Sequence, residues 1–142
     1  MAATLRTTLA CAIALVISGC QAVAFGVLNS SKKSLPPRES VAYDGKLALK
    51  LDVHRPNPAT NKQPIAVFFH GGSWLNGSRD QYAFDGDALA KAGIITVIPD
   101  YRVFPQGRFP DFEYDAANAV RWVFDHAAEL GGDPGRVFLV GH

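Results

Sequence analysis

The chain has 142 residues, of which 48% are hydrophobic, with 14 basic and 13 acidic side chains. This length is typical of one domain, and the apolar content is high enough for a buried core. The charge is nearly balanced and contains no basic block, which argues against electrostatic recruitment to nucleic acid. We therefore expect no nucleic-acid partner.

The first nineteen residues have the layout of a secretory signal peptide. Arg6 supplies one positive charge before an almost wholly apolar run from Leu9 to Ile17, which is too short for a comfortable transmembrane span. The ending Ile17-Ser18-Gly19-Cys20 resembles a bacterial lipobox, in which the cysteine is lipidated and the chain is cut just before it. We expect removal of residues 1–19 and lipid on Cys20. The alternative is a plain signal peptide with an incidental cysteine.

Lipidation of Cys20 predicts an exported protein anchored to a bacterial cell membrane. Gln21 follows the cysteine where Asp would resemble an inner-membrane retention signal, so the periplasmic face of the outer membrane is preferred. The second cysteine, Cys11, lies in the segment to be removed, which leaves the mature chain no thiol for a disulfide. Residues 20–40 are predicted to be a tether, with a polar run that ends at Pro36-Pro37.

A β-hairpin is predicted at the start of the domain, which spans residues 41–142. The segment Val41 to Val53 contains the turn signal Tyr43-Asp44-Gly45-Lys46. Apolar residues alternate with other residues from Leu47 to Val53, which predicts a strand with one buried face and places Asp52 on the opposite face.

From residue 65 onward, buried strands are predicted to alternate with helices. Continuous apolar runs are typical of strands covered on both faces, and glycines mark the helix ends. In chain order we predict a strand at Ile65–Phe69, a helix at about Asp80–Ala92, a strand at Ile94–Ile98, a helix at about Asp111–Leu130, a turn at Asp133-Pro134-Gly135 and a strand at Val137–Val140. This order predicts an α/β fold with a mostly parallel sheet and helices on both faces.

The most informative motif is His70-Gly71-Gly72-Ser73-Trp74, which directly follows a buried strand. A sharp glycine turn leaves backbone N–H groups unpaired, and such donors can hold an oxyanion as it develops. Glycine suits this turn because we expect positive φ and a close approach of the backbone to substrate. An ordinary strand-end turn is the alternative. Trp74 could line an acyl pocket or simply pack.

Four segments taken in order resemble the α/β-hydrolase superfamily, in its esterase/lipase branch of carboxylesterases and hormone-sensitive-lipase-like enzymes with a His-Gly-Gly-x-Trp motif. These segments are Leu51 to Pro56, His70 to Trp74, then Asp100-Tyr101-Arg102 with Phe109-Pro110 and Asp115 to Trp122, and finally Asp133 to His142. The resemblance covers residues 41–142 and implies the N-terminal part of the fold. It also implies a serine hydrolase that acts on a small-molecule carboxylic ester and needs no metal or organic cofactor.

The same resemblance implies roles for individual residues. The backbone N–H groups of Gly72 and Ser73 would hold the oxyanion, and Gly71 would shape the turn. Gly141-His142 matches the first two positions of the nucleophile elbow Gly-x-Ser-x-Gly. The serine would come next and the acid and catalytic histidine later, so we expect this chain alone to be inactive. The alternatives are a non-catalytic lipid-anchored binding module, a pseudo-hydrolase, or an amide or formamide hydrolase of the same fold.

The other candidate side chains are expected to be structural. Ser73 lies in a segment that lacks the final glycine of the elbow, so we do not expect it to be a nucleophile. His70 and His142 are interpreted as supporting residues of tight turns, and His54 and His126 as surface or helix residues. An ion pair between Asp115 and Arg102 is left open. Carboxylates near helix starts are interpreted as favouring the helix dipole, namely Asp80, Asp85, Asp87, Asp111, Glu113 and Asp115.

Overall fold

The computed structural model describes residues 23–30 and 38–142. The chain divides into two compact units, Met1–Ser31 and Lys32–His142, and residues 23–28 of the first unit are helical. The predicted signal peptide, the lipobox with Cys20 and part of the predicted tether lie outside the described residues. Within the described ranges, no helix has the length and apolar character needed to cross a membrane.

The second unit is built on a five-stranded sheet with the order β1-β2-β4-β3-β5. β1 pairs antiparallel with β2, and β2 with β4, whereas β3 lies parallel to both β4 and β5. The strands are β1 (Glu39–Asp44), β2 (Leu49–His54), β3 (Gln63–Phe69), β4 (Ile95–Pro99) and β5 (Gly132–Gly141). The predicted α/β class is confirmed. The sheet is mixed, because β2 pairs antiparallel with both of its neighbours.

Two helices cover opposite faces of this sheet. A 3₁₀ helix at Arg79–Tyr82 leads into α1 (Ala83–Lys91), and α2 spans Asp111–His126. Residues 127–131 form turns, so α2 ends earlier than the predicted Leu130. The core lies between the sheet and α2 and contains Leu51, Val53, Ile65, Val67, Ile95, Val97, Val123, Ala127 and Leu130. Burial of each larger aliphatic side chain stabilises the fold by roughly 1.5–3 kcal/mol.

The hairpin differs from its prediction in two ways. β2 begins at Leu49, and Leu47 lies in the preceding turn with 42% of its surface exposed. Asp52 was predicted on an uncovered face and is fully buried. The second face of β2 is covered because Arg79 of the 3₁₀ helix bonds Asp52 and Gly86 of α1 lies against the ring of His54. His54 is therefore a buried strand residue, and its prediction as a surface or helix residue is wrong.

β5 is longer than the predicted strand and includes Asp133-Pro134-Gly135, which the sequence predicts as a turn. The register between β3 and β5 is irregular between Gln63 and Ile65, beside this segment. The Gly135 N–H donates to the Asp133 side chain at 2.9 Å, as in a local turn. The predicted turn therefore survives as a local hydrogen bond and an irregular register within a longer strand.

Candidate active site

A cavity of about 530 Å³ lies at the carboxyl ends of β3 and β5. This edge of an α/β sheet is where ligands usually bind, because loops after parallel strands meet there. All five residues of the motif His70–Trp74 line the cavity, and so do Gly141 and His142. The structure therefore brings together the two motifs that the sequence analysis singled out. The remaining lining residues are Phe69, Tyr101, Phe112, Glu113 and Ala116.

The glycine turn has the positive φ that its sequence predicts. Gly72 has φ 133°, and Ser73 and Trp74 follow at 54° and 58°. The Gly72 carbonyl accepts hydrogen bonds from the N–H groups of Leu75 and Asn76 at 3.0 and 3.2 Å. A Cβ at Gly72 would lie 2.0 Å from the Asn76 carbonyl oxygen. Both the backbone conformation and the space therefore require glycine at this position.

The backbone N–H groups of Gly72 and Ser73 are available to a ligand. Among the residues that the structure describes, neither donates a hydrogen bond. Both residues line the cavity. Backbone donors of this kind are normally paired, so two free neighbours at a cavity wall form a ready site for an oxygen atom that carries negative charge.

His70 holds the turn from inside the protein. Its side chain is buried, its Nδ1 lies 3.1 Å from the Gly71 carbonyl oxygen, and its ring stacks on Tyr101 with centroids 4.3 Å apart. The Tyr101 hydroxyl donates to the His70 carbonyl at 2.6 Å. Burial lowers the pKa of His70 and so favours a neutral ring. The hydrogen bond to Gly71 opposes this shift. These contacts make His70 part of the support of the turn.

His142 joins the end of β5 to the same turn. Its backbone N–H donates to the Phe69 carbonyl at 3.3 Å, and its Nδ1 lies 3.0 Å from the Tyr82 hydroxyl. A Cβ at Gly71 would lie 2.5 Å from this Nδ1 atom. The two motifs are therefore in direct contact, and Gly71 is needed for that close approach.

Trp74 lines the cavity and also packs against α2, whereas its role in an acyl pocket stays a prediction. The residue is 57% exposed, and its ring stacks on Phe112 of α2 at a centroid distance of 5.6 Å. The Trp74 carbonyl accepts a hydrogen bond from the Phe104 N–H at 2.8 Å. The aromatic pair forms an apolar wall at one side of the cavity.

The ion pair between Arg102 and Asp115 is present. Arg102 donates from Nε and Nη2 to the two Asp115 oxygens, each at 2.8 Å, and from its backbone N–H at 3.0 Å. Asp115 is only 1% exposed. This bidentate contact fixes Arg102, which directly follows Tyr101 in the chain, against α2. Asp115 thus belongs to an ion pair. It lies beyond the first turn of α2, so the prediction that it favours the helix dipole is wrong.

A second ionic cluster was not predicted. Buried Asp52 contacts Arg79 Nε at 2.9 Å, Arg38 Nη1 at 3.3 Å and the Ser40 hydroxyl. Arg79 also pairs with the carboxylate of Asp100, which accepts its backbone N–H at 2.9 Å. The cluster ties the segment after the glycine turn to β2 and β4. Its members are far apart in sequence, so no local signal identifies them.

His54 pairs with Asp87, which corrects two predictions at once. Its Nδ1 lies 2.8 Å from Asp87 Oδ1. Asp87 lies within α1 facing β2, so it does not serve the helix start as predicted. Burial lowers the pKa of His54, and the hydrogen bond to Asp87 opposes this effect. Neither residue lines the cavity.

The other predicted carboxylates lie at helix starts or in an ion pair, and of these Glu113 also lines the cavity. Asp85 lies in the first turn of α1, Asp111 and Glu113 lie in the first turn of α2, and Asp80 pairs with Arg38. His126 is a helix residue as predicted and stacks on Trp122 at 4.1 Å. Across the described part of the chain, no group of three or more His, Cys, Asp or Glu side chains is arranged to hold a metal ion.

An open α/β sheet with a glycine turn at its carboxyl edge, in contact with the end of the next parallel strand, defines a protein of the α/β-hydrolase class. The chain belongs to the BD-FAE family, whose model matches residues 51–142. The predicted resemblance to the esterase/lipase branch is thereby confirmed.

Individual relatives agree with this assignment. The chain is 36% identical over 104 residues to a probable isoprenylcysteine alpha-carbonyl methylesterase of Arabidopsis thaliana, with 73% of this chain and 22% of the relative covered. It is also 36% identical to the carboxylesterase NlhH of Mycobacterium tuberculosis, which covers 72% of this chain and 32% of the relative.

A solved structure has the same fold. The esterase Est2 of Thermogutta terrifontis superimposes with a TM-score of 0.69 and 34% identity, over 75% of this chain and 40% of the esterase. The chain spans less than half the length of each of these relatives. It matches the N-terminal part of their fold.

Proposed function

We propose that this chain forms the N-terminal part of a serine hydrolase that cleaves carboxylic esters. One observation carries the proposal: Gly72 and Ser73, whose N–H groups donate to no described residue, line the same cavity as Gly141-His142. Acyl transfer needs a nucleophile and oxyanion donors on the same side of one site. Relatives named as a carboxylesterase and a methylesterase support this class of reaction.

In the proposed reaction, a serine that follows His142 attacks the carbonyl carbon of the ester. A histidine from later in the sequence takes the serine proton, and an acid orients that histidine. The carbonyl oxygen becomes an oxyanion and accepts hydrogen bonds from Gly72 and Ser73. Collapse of the intermediate expels the alcohol, which receives the proton from the histidine. Water then repeats these steps on the acyl-enzyme and releases the acid.

The cavity favours a small, apolar acyl group. Its walls include Phe69, Tyr101 and the stacked pair of Trp74 and Phe112. Structures of the similar Est2 esterase are described with propionate and with butyrate bound. We therefore expect short acyl esters to be better substrates than esters with charged acyl groups.

Reading the coding sequence beyond codon 142 is the first test. The proposal requires Ser-x-Gly directly after Gly141-His142, and Asp or Glu and His later in the sequence. The complete protein should hydrolyse p-nitrophenyl butyrate, and alanine at the new serine should abolish turnover. A different residue in the serine position would instead indicate a pseudo-hydrolase. Faster turnover of the matched p-nitroanilide would indicate an amide hydrolase.

We further propose that the protein is lipidated on Cys20 and anchored to a bacterial cell membrane. The supporting observation is the order of Arg6, an apolar run, Ser18-Gly19 and cysteine. Labelled palmitate should enter the protein expressed in a bacterium. The label should be lost in Cys20→Ser and retained in the matched control Cys11→Ser. Equal labelling of both variants would contradict lipidation at Cys20.

A further inference from the structure

Tyr82 is buried where three segments of the chain meet. It ends the 3₁₀ helix Arg79–Tyr82 and is only 6% exposed, with its ring packed against Phe68 at a centroid distance of 5.5 Å. Its hydroxyl oxygen lies 3.0 Å from Nδ1 of His142, a residue 60 positions further along the chain. The contact therefore links the 3₁₀ helix to the end of β5.

The glycine turn reaches the same point. A Cβ at Gly71 would lie 2.5 Å from His142 Nδ1, 3.0 Å from the Tyr82 hydroxyl and 3.1 Å from the His142 carbonyl oxygen. The imidazole of His142 thus lies directly against the backbone of the turn. Any rotation of this ring would change how closely the end of β5 approaches the turn.

The segment that carries Tyr82 is itself anchored. Arg79, at the start of the 3₁₀ helix, bonds buried Asp52 at 2.9 Å and pairs with Asp100. These contacts hold the helix to β2 and to the end of β4. Because the 3₁₀ helix is held in place, the Tyr82 hydroxyl can keep the neighbouring His142 ring in one orientation.

We infer that Tyr82 is a positioning residue, which holds the His142 imidazole against Gly71 and so sets the distance between the end of β5 and the oxyanion turn. This inference rests on the proposed function, in which the nucleophile follows His142. A displacement of about 1 Å between reacting groups can slow an enzyme about 100-fold. Loss of the hydroxyl leaves the Tyr82 ring packed and releases the imidazole, so the change falls on kcat and not on KM.

The test uses the protein expressed from its complete reading frame, with p-nitrophenyl butyrate as the substrate. Tyr82→Phe should lower kcat about tenfold with KM nearly unchanged. In a His142→Ala background the same substitution should have little further effect, because the proposed role of the hydroxyl is its contact with the imidazole. Tyr114→Phe is the matched control, since Tyr114 is 64% exposed on α2, and it should leave kcat unchanged.

A second measurement does not depend on turnover. The ¹⁵N resonance of His142 Nδ1 should shift in Tyr82→Phe and not in Tyr114→Phe. An unchanged resonance would overturn the inference, as would a wild-type kcat in Tyr82→Phe. A loss of kcat that persists fully in the His142→Ala background would also overturn it. Failure of the wild-type protein to hydrolyse the ester would instead remove the proposed function, and this inference with it.

Discussion

At the scale of single residues, the site depends on backbone conformations that few side chains allow. Gly72 combines φ 133° with a neighbouring carbonyl oxygen 2.0 Å from the position a Cβ would take. Ser73 and Trp74 also have positive φ, which is strained for residues with side chains. Such strain persists only when surrounding contacts over-determine it. Here those contacts include His70, Tyr101 and the stacking of Trp74 on Phe112.

Replacement of Gly72 tests the turn directly. Gly72→Ala should lower kcat/KM by about 10²–10³ in the complete protein, because the turn must shift and its donors move away from the oxyanion. Gly45→Ala is the matched control, since no atom lies within 4 Å of its added Cβ. Both variants are compared by hydrolysis of p-nitrophenyl butyrate. Equal kcat/KM in the two variants would contradict the proposed role of the turn.

Buried histidines predict how stability changes with pH. Burial lowers the pKa of both His54 and His70 from 6.5 in the folded protein. The unfolded chain then binds protons more readily, so their contribution to stability is full above pH 6.5 and is lost as the pH falls below it. Urea unfolding from pH 8 to pH 5 should show the free energy of unfolding decreasing towards acid. The dependence should weaken in His54→Gln, and an unchanged slope would contradict this assignment.

At the scale of elements, ion pairs hold the loops of the site to the sheet and helices. Arg102 and Asp115 connect the loop after β4 to α2, and Arg79 connects the 3₁₀ helix to β2 and β4. These pairs hold the loop that carries Tyr101 and the 3₁₀ helix that carries Tyr82. The cavity walls are therefore fixed by charged contacts that lie behind them.

The contribution of such a contact is measured by removing its buried partner. Asp115→Ala should destabilise the complete protein by about 2 kcal/mol, because the partly exposed Arg102 loses charge-assisted hydrogen bonds to a buried acceptor. Asp125→Ala is the matched control, since Asp125 pairs with Arg121 on the exposed face of α2. Its cost should stay below about 0.5 kcal/mol. Urea unfolding gives both values, and similar costs would refute the structural role of Asp115.

At the scale of the whole molecule, the sheet ends in an exposed apolar edge strand, β5. Among the described strands, β5 pairs with β3 alone. Three of its large side chains are exposed: Phe138 by 55%, Leu139 by 64% and Val140 by 37%. A long apolar edge strand is a template for pairing with other chains.

The 142-residue chain expressed by itself should therefore be poorly soluble and should not hydrolyse esters. Leu139→Lys should raise the soluble fraction, because a charge on an edge strand opposes intermolecular pairing. Size-exclusion chromatography and a p-nitrophenyl ester assay are the measurements. A monomeric wild-type chain would contradict the first expectation. Turnover that disappears in Ser73→Ala would contradict the second.

Features that depend on neighbouring residues were predictable from the sequence. The apolar runs of β3 and β4, the helices that follow them and the turn at His70–Trp74 follow from local preferences for burial and φ. The face on which Asp52 lies was predicted wrongly, because burial of a second strand face depends on a helix far along the chain. The Asp133-Pro134-Gly135 turn was absorbed into β5 because pairing with β3 extends through it.

The sequence alone was enough to predict the α/β fold and the glycine turn, because glycine conformation and apolar periodicity act within a few residues. The order of its motifs resembled the hydrolase family. Only the tertiary structure decided which groups support that turn. Tyr82 and His142 are 60 positions apart, and His54 and Asp87 are 33 apart. Nothing local distinguishes these side chains from other tyrosines, histidines and aspartates. Their roles arise because packing of the helices on the sheet places them within hydrogen-bonding distance.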